Sequence, residues 1–85
     1  MYTINIIKNK VDKKLREFMK ERQDIAKKLD RLRLDPRKEC DAHPLEGRFK
    51  GQWSCWLGSN IRMIYLIDDK RKLIIVLAVG SHKIY

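Results

Sequence analysis

The chain has 85 residues, a length that allows one domain, residues 1–85, built around a single thin core. A core this small excludes a deep cavity for a small metabolite and favours a site on an open surface. The 20 lysines and arginines outnumber the 11 aspartates and glutamates, and the resulting net charge of +9 favours nucleic acid or an acidic protein as partner.

The first half of the chain predicts a strand followed by helix. Apolar residues alternate with polar ones at Tyr2, Ile4 and Ile6, which is typical of a strand. Asn9 is the expected helix N-cap, with Asp12 three residues later in the manner of a capping box.

An apolar stripe at helical spacing follows, formed by Val11, Leu15, Phe18, Ile25, Leu29 and Leu32. Arg22 interrupts the stripe, and the pattern fits either one long helix or two helices broken near Met19–Arg22. A small core cannot easily cover one helix of about 25 residues, which favours a hairpin of two.

The second half predicts three strands. The residue before a proline resists helical geometry, so Asp35-Pro36 ends the helical region, and a polar loop follows from Arg37 to Gly51. The strand-like runs are Gln52–Leu57, Ile61–Asp68 and Lys72–Val79, separated by the turns Gly58-Ser59-Asn60 and Asp69-Lys70-Arg71. The order βααβββ predicts an α+β fold, a helical hairpin packed on one face of a mainly antiparallel four-stranded sheet, with the other face available for binding.

The cysteines and the chain's hydropathy indicate a cytoplasmic protein. Met1–Ile7 is too short for a signal peptide and is followed by charge, and no apolar run reaches the length of a membrane span. Cys40 and Cys55 form no metal-binding pattern. Free thiols are expected, although the sequence leaves a Cys40–Cys55 disulfide open.

Five short motifs follow one another in the second half of the chain. They are His43-Pro44-Leu45-Glu46-Gly47, Lys50-Gly51, Trp53-Ser54, Arg62-Met63-Ile64-Tyr65 and the tail from Val79-Gly80-Ser81-His82 to Tyr85. In this order, and with the βααβββ arrangement, they resemble the RelE/ParE toxin superfamily, with the YoeB, YafQ and RelE branches nearest. The resemblance implies the toxin of a type II toxin–antitoxin system that cuts messenger RNA in the ribosomal A site. It implies no cofactor, no metal and no membrane, and as partners an acidic cognate antitoxin, the ribosome and mRNA.

The resemblance also implies four catalytic residues. His43 stands where YafQ-like toxins carry a His before Pro-Leu and YoeB-like toxins carry a Glu. Arg62 matches the Arg of the family's Arg-x-x-Tyr strand, His82 resembles the tail His, and Tyr85 resembles the terminal aromatic residue.

Three positions depart from the YafQ pattern. Trp56 stands in place of a second active-site His, Asn60 in place of an Asp, and Ala78 in place of an Arg. The YafQ-type set is therefore incomplete, whereas the YoeB and RelE set of base, arginine and tail group is present.

Metal-free RNA cleavage needs a base for the 2′-hydroxyl, a cation for the phosphorane and an acid for the leaving 5′-oxygen. Because histidine titrates near neutral pH, one neutral and one protonated His can share these tasks. Our hypothesis assigns His43 as base, Arg62 as phosphate clamp and His82 as acid, with the reverse order of the two histidines also open. We expect Tyr85 to stack on a base.

The expected RNA contacts are Arg48, Lys50, Trp56 and Lys83. Trp53 and Trp56 have opposite parity on one strand, so one belongs to the core, and Trp56 is the one expected to meet RNA. A turn centred on Asp69–Arg71 places Arg62 opposite Ala78, whose small side chain leaves room for the arginine.

Two other functions stay open at this stage. A ParE-like toxin that poisons DNA gyrase shares the fold and the Arg-x-x-Tyr strand, but does not need His43 and His82. A catalytically decayed toxin that only binds RNA or its antitoxin is the other alternative, because of Trp56, Asn60 and Ala78.

Overall fold

A computed structural model describes residues 1–58 and 60–81 of the chain. Two helices, α1 (Asn9–Glu21) and α2 (Asp24–Leu34), follow the first strand. The strands are β1 (Thr3–Ile6), β2 (His43–Pro44), β3 (Trp53–Trp56), β4 (Arg62–Asp68) and β5 (Leu73–Gly80), with short 3₁₀ turns at Glu39–Asp41 and Gly47–Phe49.

The strands form one mixed sheet in the order β1-β5-β4-β3-β2. β1 runs parallel to β5, and the other neighbours are antiparallel. The predicted α+β class is confirmed, with five strands where four were expected. The additional strand, β2, is two residues long and includes Pro44, which is tolerated at a sheet edge, so its sequence carries no alternating pattern to reveal it.

The helical region is a hairpin, as predicted, because α1 ends at Glu21 and α2 begins at Asp24. The predicted cap at Asn9 is wrong. The carbonyl of Lys8 accepts from the amides of Val11 and Asp12, so the helix starts one residue earlier and Asn9 is its first residue.

The core lies between the helices and one face of the sheet. α1 contributes one buried leucine, and α2 contributes a buried isoleucine and two buried leucines at helical spacing. Burying each such side chain stabilises the fold by roughly 1.5–3 kcal/mol. The core residues from the helices are Leu15, Ile25, Leu29 and Leu32, and those from the strands include Cys55, Met63, Tyr65, Ile74, Val76 and Val79. The helices thus cover one face of the sheet.

The pairing of β4 with β5 differs from the prediction, because Arg62 lies opposite Gly80 and not Ala78. The turn holds four residues, 69–72, since Asp68 pairs with Leu73. A β-bulge then adds one residue on β5, where Ile64 pairs with Ala78 but Tyr65 pairs with Val76. The longer turn and the bulge together shift the partner of Arg62 by two residues. Because side chains on a strand alternate with a period of two, Arg62 stays on the predicted face.

Candidate active site

The sheet face turned away from the helices carries the candidate site. Cross-strand partners share a face, and they form two neighbouring rows there. The first row is His43, Ser54, Ile64 and Ala78, and the second is Trp56, Arg62 and Gly80. Two predicted site residues from distant parts of the sequence, His43 and Arg62, therefore come to one face.

Arg62 lies over the ring of its cross-strand neighbour. Its guanidinium carbon is 4.2 Å from the centroid of Trp56, and both side chains are half-buried. A cation stacked on an indole is held by the ring's quadrupole, and the planar guanidinium still presents N–H groups along its edge. Stacking on Trp56 thus holds the cation that a phosphate would meet.

Trp53 and Trp56 point to opposite faces of the sheet, as predicted from their spacing on one strand. Trp53 packs against the core, whereas Trp56 lies on the open face. Trp56 is half-buried, with the Arg62 guanidinium over its ring, so the ring is less exposed than predicted.

His43 is exposed, and its Nδ1 lies 3.1 Å from the carbonyl oxygen of Asp41. With the proton on Nδ1 the ring donates to that carbonyl, and Nε2 is left to accept a proton from a substrate. Cys40 and Asp41 before it have φ of 59° and 54°, in the left-handed region. Two such residues in succession cost of order 1–3 kcal/mol each, and strain of this kind gathers at functional sites.

His43 and Arg62 lie two strands and two residues apart. From ordinary strand spacing and rise, their Cα atoms are separated by roughly 12 Å. Because both side chains extend away from the backbone, a phosphate lying between them would be within reach of both.

Ser54 also lies on this face, although it is not among the predicted site residues. Its side chain is 0% exposed, and its Oγ has no hydrogen-bond partner among residues 1–58 and 60–81. A buried hydroxyl without a partner is uncommon, and this one lies between His43 and Ile64 in the first row. Ser54 and Trp56 are two residues apart on β3, so their side chains point to the same face, and this spacing was the sequence signal for the position of Ser54.

The remaining predicted residues divide into two groups. Arg48 and Lys50 are exposed in the connection between β2 and β3, with the Arg48 guanidinium 4.9 Å from the centroid of Phe49. The predicted acid His82, together with Lys83 and Tyr85, lies outside the described residues.

The two thiols are free, with Cys55 buried and Cys40 half-buried. Burial raises the pKa of both thiols, so each is a neutral S–H at neutral pH. In the part of the chain that the structure describes, no group of three or more His, Cys, Asp or Glu side chains is arranged to hold a metal. Over the same residues, no helix is both long and apolar enough to cross a bilayer.

Several solved structures share this architecture. A copper-bound mutant toxin from Helicobacter pylori matches over all of both chains, with 22% identity and a TM-score of 0.71. YoeB in the YoeB–YefM toxin–antitoxin complex from Staphylococcus aureus matches over 96% of this chain and 98% of its own, with 16% identity and a TM-score of 0.73. A conserved hypothetical protein from Helicobacter pylori matches over 96% of both chains, with 28% identity and a TM-score of 0.66.

These likenesses show that the chain has the fold of the RelE/ParE-type toxins, which include YoeB and YafQ. Neither a protein-family model nor a curated protein matches the sequence.

Proposed function

We propose that the chain is the toxin of a type II toxin–antitoxin system and a ribosome-dependent endoribonuclease that needs no metal. The observation that carries this proposal is the sheet face opposite the helices of a RelE-type fold, on which Arg62, stacked on Trp56, lies two strands from His43.

The proposed reaction uses one proton acceptor, one cation and one proton donor. Nε2 of His43 takes the proton of the RNA 2′-hydroxyl, and the 2′-oxygen attacks the adjacent phosphorus. Arg62 stabilises the charge that develops on the phosphorane oxygens. His82 donates a proton to the departing 5′-oxygen, leaving a 2′,3′-cyclic phosphate and a 5′-hydroxyl. The two histidines can exchange roles without changing this balance.

The proposed protein partner is an acidic antitoxin. The net charge of +9 favours an acidic surface, and YoeB from Staphylococcus aureus is seen in complex with YefM. We expect the antitoxin to cover Arg62 or to displace the tail, because either blocks the substrate phosphate. A complex that blocks cleavage while both Arg62 and the tail stay fully accessible contradicts this placement.

The test is mRNA cleavage in a translating extract, mapped by primer extension. Wild type should cut inside codons only when ribosomes are present. Arg62→Gln should lower the cleavage rate by about 10²–10³, as loss of one stabilising donor does. His43→Gln and His82→Ala should each lower it by about 10²–10⁴, the usual worth of a general acid or base.

Arg71→Gln is the matched control, because Arg71 is an exposed arginine of the β4–β5 turn outside this face. Cleavage that persists in Arg62→Gln overturns the assigned role of Arg62. A folded wild type that makes no cuts but poisons DNA gyrase, with His43→Gln as potent as wild type, establishes the ParE-like alternative. A folded protein that does neither is a decayed toxin.

A further inference from the structure

A concavity of the surface adjoins the candidate active site at Trp56. It has a volume of about 620 Å³ and lies where the α1–α2 connection meets the turn between β3 and β4. Its polar lining comes from Asp24, Lys28, Asp41 and Asn60, and its aromatic wall is Trp56. The same indole that carries the Arg62 guanidinium thus borders this cavity.

Arg22 and Gly58 fix the geometry of the cavity. Gly58 has a φ of 122°, and a Cβ built on it would lie 2.5 Å from a terminal nitrogen of Arg22. Arg22 in turn forms an ion pair with Asp24 at 3.3 Å. The arginine that interrupts the apolar stripe of the helices therefore packs its head group against the glycine of the β3–β4 turn and holds two walls together.

The charges of the lining cancel. Two cations, Arg22 and Lys28, face two carboxylates, Asp24 and Asp41, in a chain whose net charge is +9. Cys40 completes the wall as a thiol that donates to the carbonyl of Lys28 at 3.1 Å. A cavity that is neutral, polar and walled by an aromatic ring suits an uncharged planar ligand rich in hydrogen-bonding groups, and not a phosphate.

We propose that this cavity binds a nucleobase of the RNA substrate, next to the phosphate held at Arg62, and that it selects guanine. Guanine presents two adjacent N–H donors on its Watson–Crick edge, which one ionised carboxylate such as Asp41 accepts together. Its O6 and N7 are acceptors for a cation such as Lys28. Trp56 stacks on the base. The proposal rests on RNA being the substrate.

The test uses the four nucleoside monophosphates as probes, titrated separately into the intact protein and followed by NMR. The indole N–H of Trp56 reports on the cavity, and that of Trp53, which packs against the core, is an internal control. GMP should shift the Trp56 signal with an affinity at least about tenfold above AMP, CMP and UMP, the discrimination expected from one good bidentate contact.

Asp41→Asn should weaken GMP binding by about tenfold, because the amide offers only one acceptor oxygen. Glu17→Gln, an exposed carboxylate of α1 outside the cavity, should bind GMP as wild type does. No shift with any nucleotide, an equal response to all four, or unchanged binding in Asp41→Asn overturns the proposal.

Cut-site mapping separates this inference from the proposed function. If the Asp41→Asn protein still cuts mRNA with the same base preference as wild type, the guanine pocket is overturned and the proposed nuclease stands. Selective GMP binding by a wild-type protein that cuts no mRNA overturns the nuclease, and with it the assignment of the base to an RNA substrate, and leaves only a guanine-binding cavity.

Discussion

The two ends of the Arg62–Tyr65 motif lie on opposite faces of the sheet. Three residues along a strand reverse the side-chain direction, so Arg62 faces the open side and Tyr65 enters the core. Tyr65 is 0% exposed, and its hydroxyl donates to the carbonyl of Pro36 at 2.7 Å. Burial raises the pKa of this phenol, so it stays a donor throughout the physiological range. Arg62 therefore lies on the face of the candidate site, and Tyr65 anchors the loop after α2.

Tyr65→Phe should lower the free energy of unfolding by about 1–2 kcal/mol, because the buried carbonyl of Pro36 loses its donor. Cleavage per folded molecule should not change. The measurement is urea unfolding beside Tyr2→Phe, in which the lost hydroxyl bonds the exposed Asp69 and a smaller effect is expected. A loss of cleavage in folded Tyr65→Phe would place the hydroxyl in the chemistry instead.

Three separate parts of the chain meet at Asp69. This residue begins the β4–β5 turn, and both terminal nitrogens of Arg37, which follows α2, reach its carboxylate at 3.0 and 2.8 Å. Tyr2, just before β1, donates to the same carboxylate. These hydrogen bonds, of which those from Arg37 have the largest effect, lower the pKa of Asp69 from 3.8 to about 2.

Since the pKa of Asp69 is depressed in the folded state, the stability it contributes is complete above pH 3.8 and is lost as the pH falls towards about 2. Asp69→Asn should therefore differ most from wild type in urea midpoint at pH 5 and converge with it by pH 2. Arg37→Gln, which removes the largest cause of the shift, should behave in the same way. Arg16→Gln, which breaks an exposed pair within α1, is the control. A constant difference across this range would show that the ionised carboxylate contributes nothing.

The elements with a regular apolar pattern and the places of the turns between the strands were predictable, and the exact geometry of the connections was not. Periodicity located the helical hairpin, with its break beside Arg22, and four of the five strands. The bulge beside Ile64 and the four-residue turn depend on the local twist and on Lys72 taking a φ of 56°, which no pattern in the sequence encodes. Together they change the cross-strand partner of Arg62 from the predicted Ala78 to Gly80.

For the site, parity was enough to place Arg62 and Trp56 on one face. His43 reaches that face through a strand of two residues, whose pairing depends on the strained turn at Cys40 and Asp41. Sequence patterns carry no signal for such a turn, since neither residue is a glycine. The cavity beside Trp56 was equally hidden, because it is formed between connections far apart in the chain.

The net charge is a property of the whole molecule. Its general attraction for a polyanion differs from the specific contact of one cation with one phosphate. An excess of cations raises the local concentration of any polyanion everywhere on the surface, whereas only cations that touch phosphates release counterions. Arg48 and Lys50 lie in the connection that joins His43 to β3, and both are exposed. We therefore expect them to hold phosphates of an RNA strand that crosses the open face.

The expectation is testable through the salt dependence of binding to a short 2′-O-methyl RNA, which cannot be cleaved. Each phosphate contact contributes a slope of about −0.7 in log affinity against log salt for a single strand. Arg48→Gln and Lys50→Gln should each make the slope shallower by about that amount, whereas Lys13→Gln, an exposed lysine of α1, should leave it unchanged. Equal changes in all three variants would mean that the cations attract RNA as a diffuse field. The strand would then be positioned by Arg62 and the aromatic ring beneath it.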